Sequence, residues 1–156
     1  TRRELTGLQS FLSLGGLLLV DELEPDDGSF TRGAERELGR VVPAGSPIAI
    51  GDEHVIFRSF YLLQRAVGRV ARSDKLRAIV RGGAVQILFS PNDFLGALAR
   101  EAGGVQLLEV VPGGEDQREQ AVRLAVNIAM YVLCSNYKDD QVHAPILMRR
   151  RVGDGR

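Results

Sequence analysis

The densest set of side chains that could do chemistry lies near the end of the chain, between a long apolar helix and three consecutive arginines. Its sequence reads Asn-Tyr-Lys-Asp-Asp-Gln-Val-His. A simple connection between a helix and a tail does not need amide, phenol, ammonium, carboxylate and imidazole groups together. This composition predicts a ligand or partner site at Asn136, Tyr137, Lys138, Asp139, Asp140, Gln141 and His143.

The same segment carries features that would hold it against the domain. Asn136 can adopt the left-handed conformation that ends a helix, and Tyr137 can bury its ring while its hydroxyl bonds at the edge. Val142 can anchor the far end in the core. The segment is therefore predicted to be ordered, and a helix terminus fixed only for stability is the alternative explanation of the same residues.

Polar side chains also follow two predicted strands at the points where these strands end. Asp21 and Glu22 come directly after the apolar run 17–20, and Asn92 and Asp93 follow a later apolar run. Ligands of open α/β sheets bind beyond the carboxyl ends of the strands. These four residues are therefore predicted to form a second part of the ligand or partner site.

The two histidines of the chain, His54 and His143, are further candidates for this site. Together with Asp21, Asp93 or Asp140 they could form a metal-binding or acid–base cluster of the kind that hydrolases use. Two histidines without a closely spaced motif also serve as hydrogen-bonded structural groups. The sequence therefore predicts no metal site and no cofactor, and it leaves a hydrolase, metal-assisted or not, as the alternative function.

Covalent acyl chemistry requires a serine or cysteine on a sharp strand-to-helix turn, within G-x-S-x-G or G-x-C-x-G. Neither pattern occurs in the chain, and the first clear strand ends in two carboxylates instead. The single cysteine, Cys134, lies in an apolar run and is predicted to be a small buried hydrophobic residue. The sequence thus names no catalytic residue and favours a non-enzymatic role without excluding catalysis.

Composition bounds the class of protein. With 156 residues, 44% hydrophobic side chains and 20 basic against 20 acidic residues, the chain is typical of one globular domain without net charge. No positive field draws in nucleic acid, and no apolar run reaches the ~18 to 20 residues that span a bilayer. The predicted domain covers residues 1–148, a basic tail follows at 149–156, and the chain is expected to be part of a longer protein.

Helical and apolar segments alternate along the chain. They are a helix at 5–12, a strand at 17–20, a helix at 32–41, strands at 76–80, 84–89 and 105–111, a short helix at 94–102 and a long helix at 115–134. Alternation of this kind predicts an α/β layer structure with a mainly parallel sheet of about five strands.

Four groups of residues together point to a known family. They are Leu8-x-x-Phe11-Leu12-x-x-Gly15-Gly16-x-Leu18-Leu19-x-Asp21, His54-x-Ile56-Phe57-Arg58-Ser59-Phe60-Tyr61, Asn92-Asp93, and Val126-Asn127 leading to the segment 136–143. They resemble the bacterial domain of unknown function 4159 over nearly the whole chain. The resemblance implies the fold of class I glutamine amidotransferases, a flavodoxin-like three-layer sandwich with a mainly parallel sheet, here without its N-terminal strand.

The resemblance also carries expectations about function. Members of this family are often joined to membrane segments, or encoded beside MoxR-type ATPases and von Willebrand A proteins, and no activity is established for them. Asp21 would stand near the nucleophile elbow of the amidotransferase relatives, where a carboxylate cannot act as a thiolate does. The expected function is a non-catalytic amidotransferase-like domain that binds a protein partner in a membrane-associated complex of the bacterial cell envelope, with a small-molecule ligand as a further option.

Overall fold

The computed structural model describes residues 1–43 and 45–153, and for residues 135–153 it describes the backbone. Helices and strands alternate for most of this length, as the sequence predicts. In chain order the elements are α1 (Arg2–Ser13), β1 (Leu18–Asp21), α2 (Ser29–Leu38), β2 (Ile48–Ile50), a 3₁₀ helix (Val55–Arg58), β3 (Leu76–Arg81), β4 (Ala84–Ser90), α3 (Phe94–Leu98) and α4 (Gly114–Gly153).

The described strands form one four-stranded sheet in the order β1-β4-β3-β2. β1 and β4 are parallel, whereas β4 pairs with β3, and β3 with β2, in antiparallel fashion. The prediction of a mainly parallel sheet of about five strands is therefore wrong for the described residues. Gly82 and Gly83 have φ values of 61° and 82° and form a two-residue turn, which joins β3 and β4 directly as a hairpin.

The strand predicted at 105–111 does not join this sheet. Gly104, with φ of 80°, reverses the chain, so that the amide of Leu107 donates to the carbonyl of Ala99 at 3.1 Å. An isolated bridge between Arg100 and Gln106 completes this local pairing. The first part of the segment thus pairs with its own sequence neighbours, and at its end the amide of Val111 donates to the carbonyl of Arg69 at 2.8 Å.

Helices cover both faces of the sheet. On one face, Leu12 of α1 and Leu38 of α2 pack in a cluster with Ile87 and Phe89 of β4. On the other face, Leu124 of α4 belongs to a cluster that also includes residues from α3, the 3₁₀ helix and β4. This packing confirms the predicted α/β layer structure. It also explains the apolar character of the central strand β4, which contributes to both clusters.

α4 is the longest element, with 40 residues, and spans about 60 Å. The predicted end near Cys134 is wrong, because the helical backbone continues through Asn136–His143 and into the predicted basic tail. Asn136 therefore does not end the helix in a left-handed conformation. The side chains of 136–143 lie outside the described ones, so their predicted contacts stay predictions. Among helices in the described part of the chain, none has both the length and the apolar character needed to cross a bilayer.

Candidate functional site

Asp21 lies at the carboxyl end of β1, as predicted, but it is buried rather than accessible, with 7% of its surface exposed. Its Oδ1 accepts a hydrogen bond from the amide of Phe94 at 2.8 Å, and its Oδ2 accepts one from the amide of Leu95 at 2.7 Å. Burial raises the pKa of the Asp21 carboxyl above its usual value, and the two amide hydrogen bonds oppose this shift. Asp21 thus joins the start of α3 to the end of β1.

Glu22 has a similar role at the start of α2. It is 3% exposed, and its Oε2 accepts a hydrogen bond from the amide of Thr31 at 2.9 Å. The residue at the N-cap of α2 is Gly28, which has no side chain to supply this bond. Glu22 therefore satisfies a free amide of the first helical turn from a neighbouring strand end.

Asp93 occupies the turn between β4 and α3 and has a left-handed backbone, with φ of 50° and ψ of 60°. Its Oδ1 accepts a hydrogen bond from the amide of Gly96 at 3.1 Å, and its Oδ2 forms an ion pair with Nε of Arg69. A side chain at Gly96 would collide with this carboxylate, since its Cβ would lie 2.3 Å from Oδ1. Asp93 thus caps α3 and fixes Arg69.

Asn92 is fully buried and uses both ends of its amide. Its Oδ1 accepts hydrogen bonds from the amides of Arg72 at 2.9 Å and Ser73 at 3.0 Å. Its Nδ2 donates to the carbonyls of Ser73 at 2.8 Å and Ala66 at 3.3 Å. Asn92 therefore holds the loop between the 3₁₀ helix and β3 in place.

The structure brings Asp21, Glu22, Asn92 and Asp93 together at the carboxyl ends of β1 and β4. Asp21 pairs with Ser90 in the parallel register of β1 and β4, and the amide of Glu22 donates to the carbonyl of Ser90 at 3.0 Å. These residues lie at the strand ends where the sequence places them, and their side-chain oxygens bind backbone amides or Arg69, so their role in a ligand or partner site stays a prediction. The side chains at these strand ends hold neighbouring loops and the starts of helices in place.

His54 lies between β2 and the 3₁₀ helix, beside Tyr131 of α4. Its Nδ1 accepts a hydrogen bond from the amide of Ile56 at 3.3 Å and so caps the 3₁₀ helix, and its ring centroid is 6.0 Å from that of Tyr131. The hydroxyl of Tyr131 accepts a hydrogen bond from the amide of Val85 at 2.9 Å, near the start of β4. Burial lowers the pKa of His54, and the charge of Glu53 opposes this shift.

The structure does not bring His54 to Asp21. β1, which ends in Asp21, and β2, which leads to His54, are the two outer strands of the sheet, and three strand spacings, about 14 Å, separate them. His143 lies in the part of α4 whose side chains are not described. Within the described residues, no group of three or more His, Cys, Asp or Glu side chains is arranged to hold a metal ion. Cys134 is exposed, so its predicted burial is wrong.

Asn127 is the most important polar residue that the sequence did not single out as a site. It is 0% exposed within α4. Its Oδ1 accepts hydrogen bonds from the amides of Phe60 at 3.1 Å and Tyr61 at 2.7 Å, and its Nδ2 donates to the carbonyl of Tyr61 at 2.8 Å. Two of the motifs that define the family resemblance are thus joined directly. The sequence does contain one signal for this role, because Asn127 is a polar residue inside an otherwise apolar stretch of helix.

The segment 59–63, which we call the aromatic loop, is the part of the chain that Asn127 holds. Phe60 is 62% exposed and Leu62 is 87% exposed. The rings of Phe60 and Tyr61 meet edge to face at 4.9 Å, and the guanidinium of Arg123 lies 5.3 Å from the Tyr61 ring centre. The loop therefore presents large apolar side chains to solvent from a fixed backbone.

Two further side chains of α4 bind distant backbone in the same way. Nε2 of Gln117 donates to the carbonyl of Gly68 at 2.8 Å. The guanidinium of Arg118 donates to the carbonyls of Ala97 at 2.6 Å and Leu108 at 2.7 Å. α4 is consequently the element that fixes the loops packed around it.

These features define an α/β domain with helices on both faces of a mixed sheet, in which buried polar residues anchor helix starts and loops. The chain belongs to the family described as Domain of unknown function (DUF4159), which matches residues 1–133. No curated protein matches the chain. The match ends inside α4, so the segment 136–143 lies beyond it, and a functional role of that segment stays a prediction.

Proposed function

We propose that this chain is a non-catalytic, amidotransferase-like binding domain of a bacterial, membrane-associated assembly. The observation that carries the proposal is the state of Asp21, which stands where the resemblance expects a nucleophile elbow. Both of its carboxylate oxygens accept hydrogen bonds from amides of α3, at 2.8 and 2.7 Å. A carboxylate that is buried and occupied in this way acts as a structural anchor.

We further propose that the complete sheet of this domain is flavodoxin-like. β1 is apolar from Leu18 to Val20, runs parallel to β4, and lies at an edge of the described sheet. A further parallel strand from a longer protein, paired along β1, would place this apolar strand inside the sheet and enlarge its parallel part. The family resemblance favours this arrangement.

The aromatic loop is the surface best suited to a protein partner. Burying an exposed Phe or Leu side chain contributes roughly 1.5–3 kcal/mol, and aromatic residues on rigid supports are frequent energetic centres of interfaces. Phe60 and Leu62 are exposed, and Asn127 fixes the backbone between them through three hydrogen bonds. The partner therefore meets a preformed surface and loses less entropy on binding than it would with a flexible loop.

The polar segment Asn136–His143 supplies the second half of the proposed surface. It lies on the same helix that carries Asn127, and Asn136 is about 14 Å further along the helix axis. The helix would thus orient both halves relative to each other. The family context favours a MoxR-type ATPase or a von Willebrand A protein as the partner that binds there.

Pairwise binding of purified proteins tests this function. The full-length protein is titrated with a MoxR-type ATPase and with a von Willebrand A protein from its own source organism. We expect Asp140→Ala and His143→Ala to weaken binding while the melting temperature stays nearly unchanged. A large fall in melting temperature with normal residual binding would assign the segment to the scaffold. Turnover of an ester, amide or glycoside that Asp21→Asn abolishes would show that the domain is catalytic.

A further inference from the structure

A cleft of about 480 Å³ opens at the end of the sheet opposite to Asp21. It is bounded by the turn at Gly15 and Gly16 before β1, the β3–β4 turn, the 3₁₀ helix and the stretch of α4 around Tyr131. Its volume falls within the roughly 300–1,000 Å³ of small-molecule sites. The cleft shares no residue with the strand-end anchors or with the proposed binding surface except Ser59, at the start of the aromatic loop.

The walls of the cleft combine an apolar lining with one positive charge. Leu17, Val55 and Met130 supply apolar surface. Among the described residues that line the cleft, Arg58 is the one with a charged side chain, and it is exposed. Its Nη2 donates to the carbonyl of Asp52, which does not line the cleft, so the exposed side chain meets an anion in the cleft by turning from this contact. A guanidinium has five N–H donors, so Arg58 keeps capacity for an incoming anion.

Two polar groups in the cleft add further capacity for hydrogen bonds. The Oε1 atom of Gln86 is buried and has no hydrogen-bond partner among the described residues. The hydroxyl oxygen of Tyr131 accepts from the amide of Val85, which leaves its O–H free to donate to a ligand. A buried amide oxygen without a partner is costly, and a rotation of the Gln86 side chain toward the cleft would let a ligand donate to this oxygen.

We propose that this cleft binds a small amphipathic organic anion. Its anionic group would meet Arg58, and its apolar body would lie against Leu17, Val55 and Met130. The charge of the cleft selects the class of ligand, because an uncharged apolar molecule would leave Arg58 unused and a cation would be repelled. This inference is independent of the proposed protein-binding function, since it concerns a different surface.

Titration with 8-anilinonaphthalene-1-sulfonate, followed by its fluorescence, tests the proposal with a probe of the right chemistry. N-phenyl-1-naphthylamine is the matched uncharged probe. We expect saturable binding of the sulfonate at one site. Arg58→Gln should weaken it by about fivefold, the effect of removing a partly exposed charge contact, and should leave the uncharged probe unchanged. Arg65→Gln, which removes an exposed arginine that does not line the cleft, is the control and should change neither.

A second variant locates the bound probe. Ala84→Trp places a large side chain at an exposed position of the cleft wall and should abolish binding of both probes. The exposed thiol of Cys134, which also lines the cleft, reports occupancy directly. Its rate of reaction with a disulfide reagent should fall when the sulfonate is bound to wild type, and should not respond to the sulfonate in Ala84→Trp. Near-ultraviolet circular dichroism confirms that each variant keeps its tertiary packing.

Three results would overturn the proposal. The first is no saturable binding of the sulfonate by folded wild type. The second is equal weakening by Arg58→Gln and Arg65→Gln, or equal weakening of both probes by Arg58→Gln, since the site would then not select an anion. The third is normal binding by folded Ala84→Trp together with unprotected Cys134, which would place the probe elsewhere.

Discussion

Replacement of Asn127 by alanine should destabilise the domain strongly, because one fully buried side chain provides three hydrogen bonds to the aromatic loop. These bonds join Oδ1 to the amides of Phe60 and Tyr61, and Nδ2 to the carbonyl of Tyr61. Each such bond contributes about 1 kcal/mol net, and backbone groups left without partners add to the loss when water cannot reach them. The expected loss is roughly 2–4 kcal/mol in the free energy of unfolding.

Asn127→Asp separates the two kinds of hydrogen bond. The introduced carboxylate can still accept from the amides of Phe60 and Tyr61, but it places an oxygen where Nδ2 donates to the Tyr61 carbonyl at 2.8 Å. Its protonated form can donate there, so the folded state favours the neutral carboxyl and raises its pKa. By linkage, stability is retained below the unfolded pKa and lost as the pH rises through the folded pKa. Asn127→Asp should therefore be less stable at pH 7 than at pH 4, relative to wild type.

The assay is urea unfolding followed by circular dichroism, combined with thermal melts. A loss of about 3 kcal/mol corresponds to a fall of roughly 6–12 °C in the melting temperature of a domain of this size. Hydrogen exchange should show faster exchange at the amides of Phe60 and Tyr61 in both variants. A loss below about 0.5 kcal/mol for Asn127→Ala would show that the three hydrogen bonds contribute almost nothing to stability, contrary to this prediction.

Three further predictions concern the stability of variants at Asp21, Gly68 and His54. Asp21→Asn places the NH₂ group of a carboxamide against a backbone N–H of α3, two donors facing each other, and should cost about 1–3 kcal/mol. Because burial raises the pKa of Asp21, the stability advantage of wild type should be largest below the usual value of 3.8 and should shrink as the pH rises through the folded pKa, as urea unfolding across this range would show. Gly68→Ala places a Cβ 2.2 Å from the backbone oxygen of Asn92 and should lower stability by about 1–3 kcal/mol. The control Gly103→Ala has open space around it and should change stability little. Equal losses in the two variants would contradict the close contact between Gly68 and Asn92. Burial lowers the pKa of His54, so its contribution to stability is present above the unfolded value of 6.5 and is lost as the pH falls through the folded pKa. Wild type should therefore lose more stability than His54→Asn between pH 7.5 and pH 5, and equal losses would show that folding does not lower this pKa.

The positions of the strand-end carboxylates could be predicted from the sequence because they follow short apolar runs directly. Asp21 and Asp93 lie where this pattern places them. Their role could not be predicted in the same way. It depends on the placement of α3 against β1, which brings the amides of Phe94 and Leu95 to a carboxylate more than 70 positions earlier in the chain.

The direction of the strands was harder to predict than their existence. In the sequence, Gly82 and Gly83 separate two apolar runs, and in the structure both glycines adopt positive φ and close a hairpin. The alternation of helices and strands favoured parallel neighbours instead. The local turn determines the pairing of β3 with β4, because a two-residue connection cannot join parallel strands.

The extent of α4 and the partners of Asn127 also lie beyond local patterns. No glycine or proline occurs between Cys134 and His143, so the backbone has no strong signal that would end the helix there. Asn127 binds backbone 66 and 67 positions away. A polar residue in an apolar helix indicates that such a partner exists, but only the folded packing identifies it.

If a protein partner binds the aromatic loop, its affinity should depend on the exposed side chains of that loop and not on exposed leucines elsewhere. The partner is whichever of the MoxR-type ATPase and the von Willebrand A protein binds wild type in the pairwise titrations. Its dissociation constant is compared between wild type, the double variant Phe60→Ser/Leu62→Ser, and the control Leu14→Ser/Leu23→Ser, which changes side chains that are 84% and 63% exposed elsewhere on the surface. The loop variant should bind at least about tenfold more weakly, corresponding to about 1.4 kcal/mol, while the control binds like wild type. Equal affinities for all three folded proteins, or equal losses in both variants, would contradict the account.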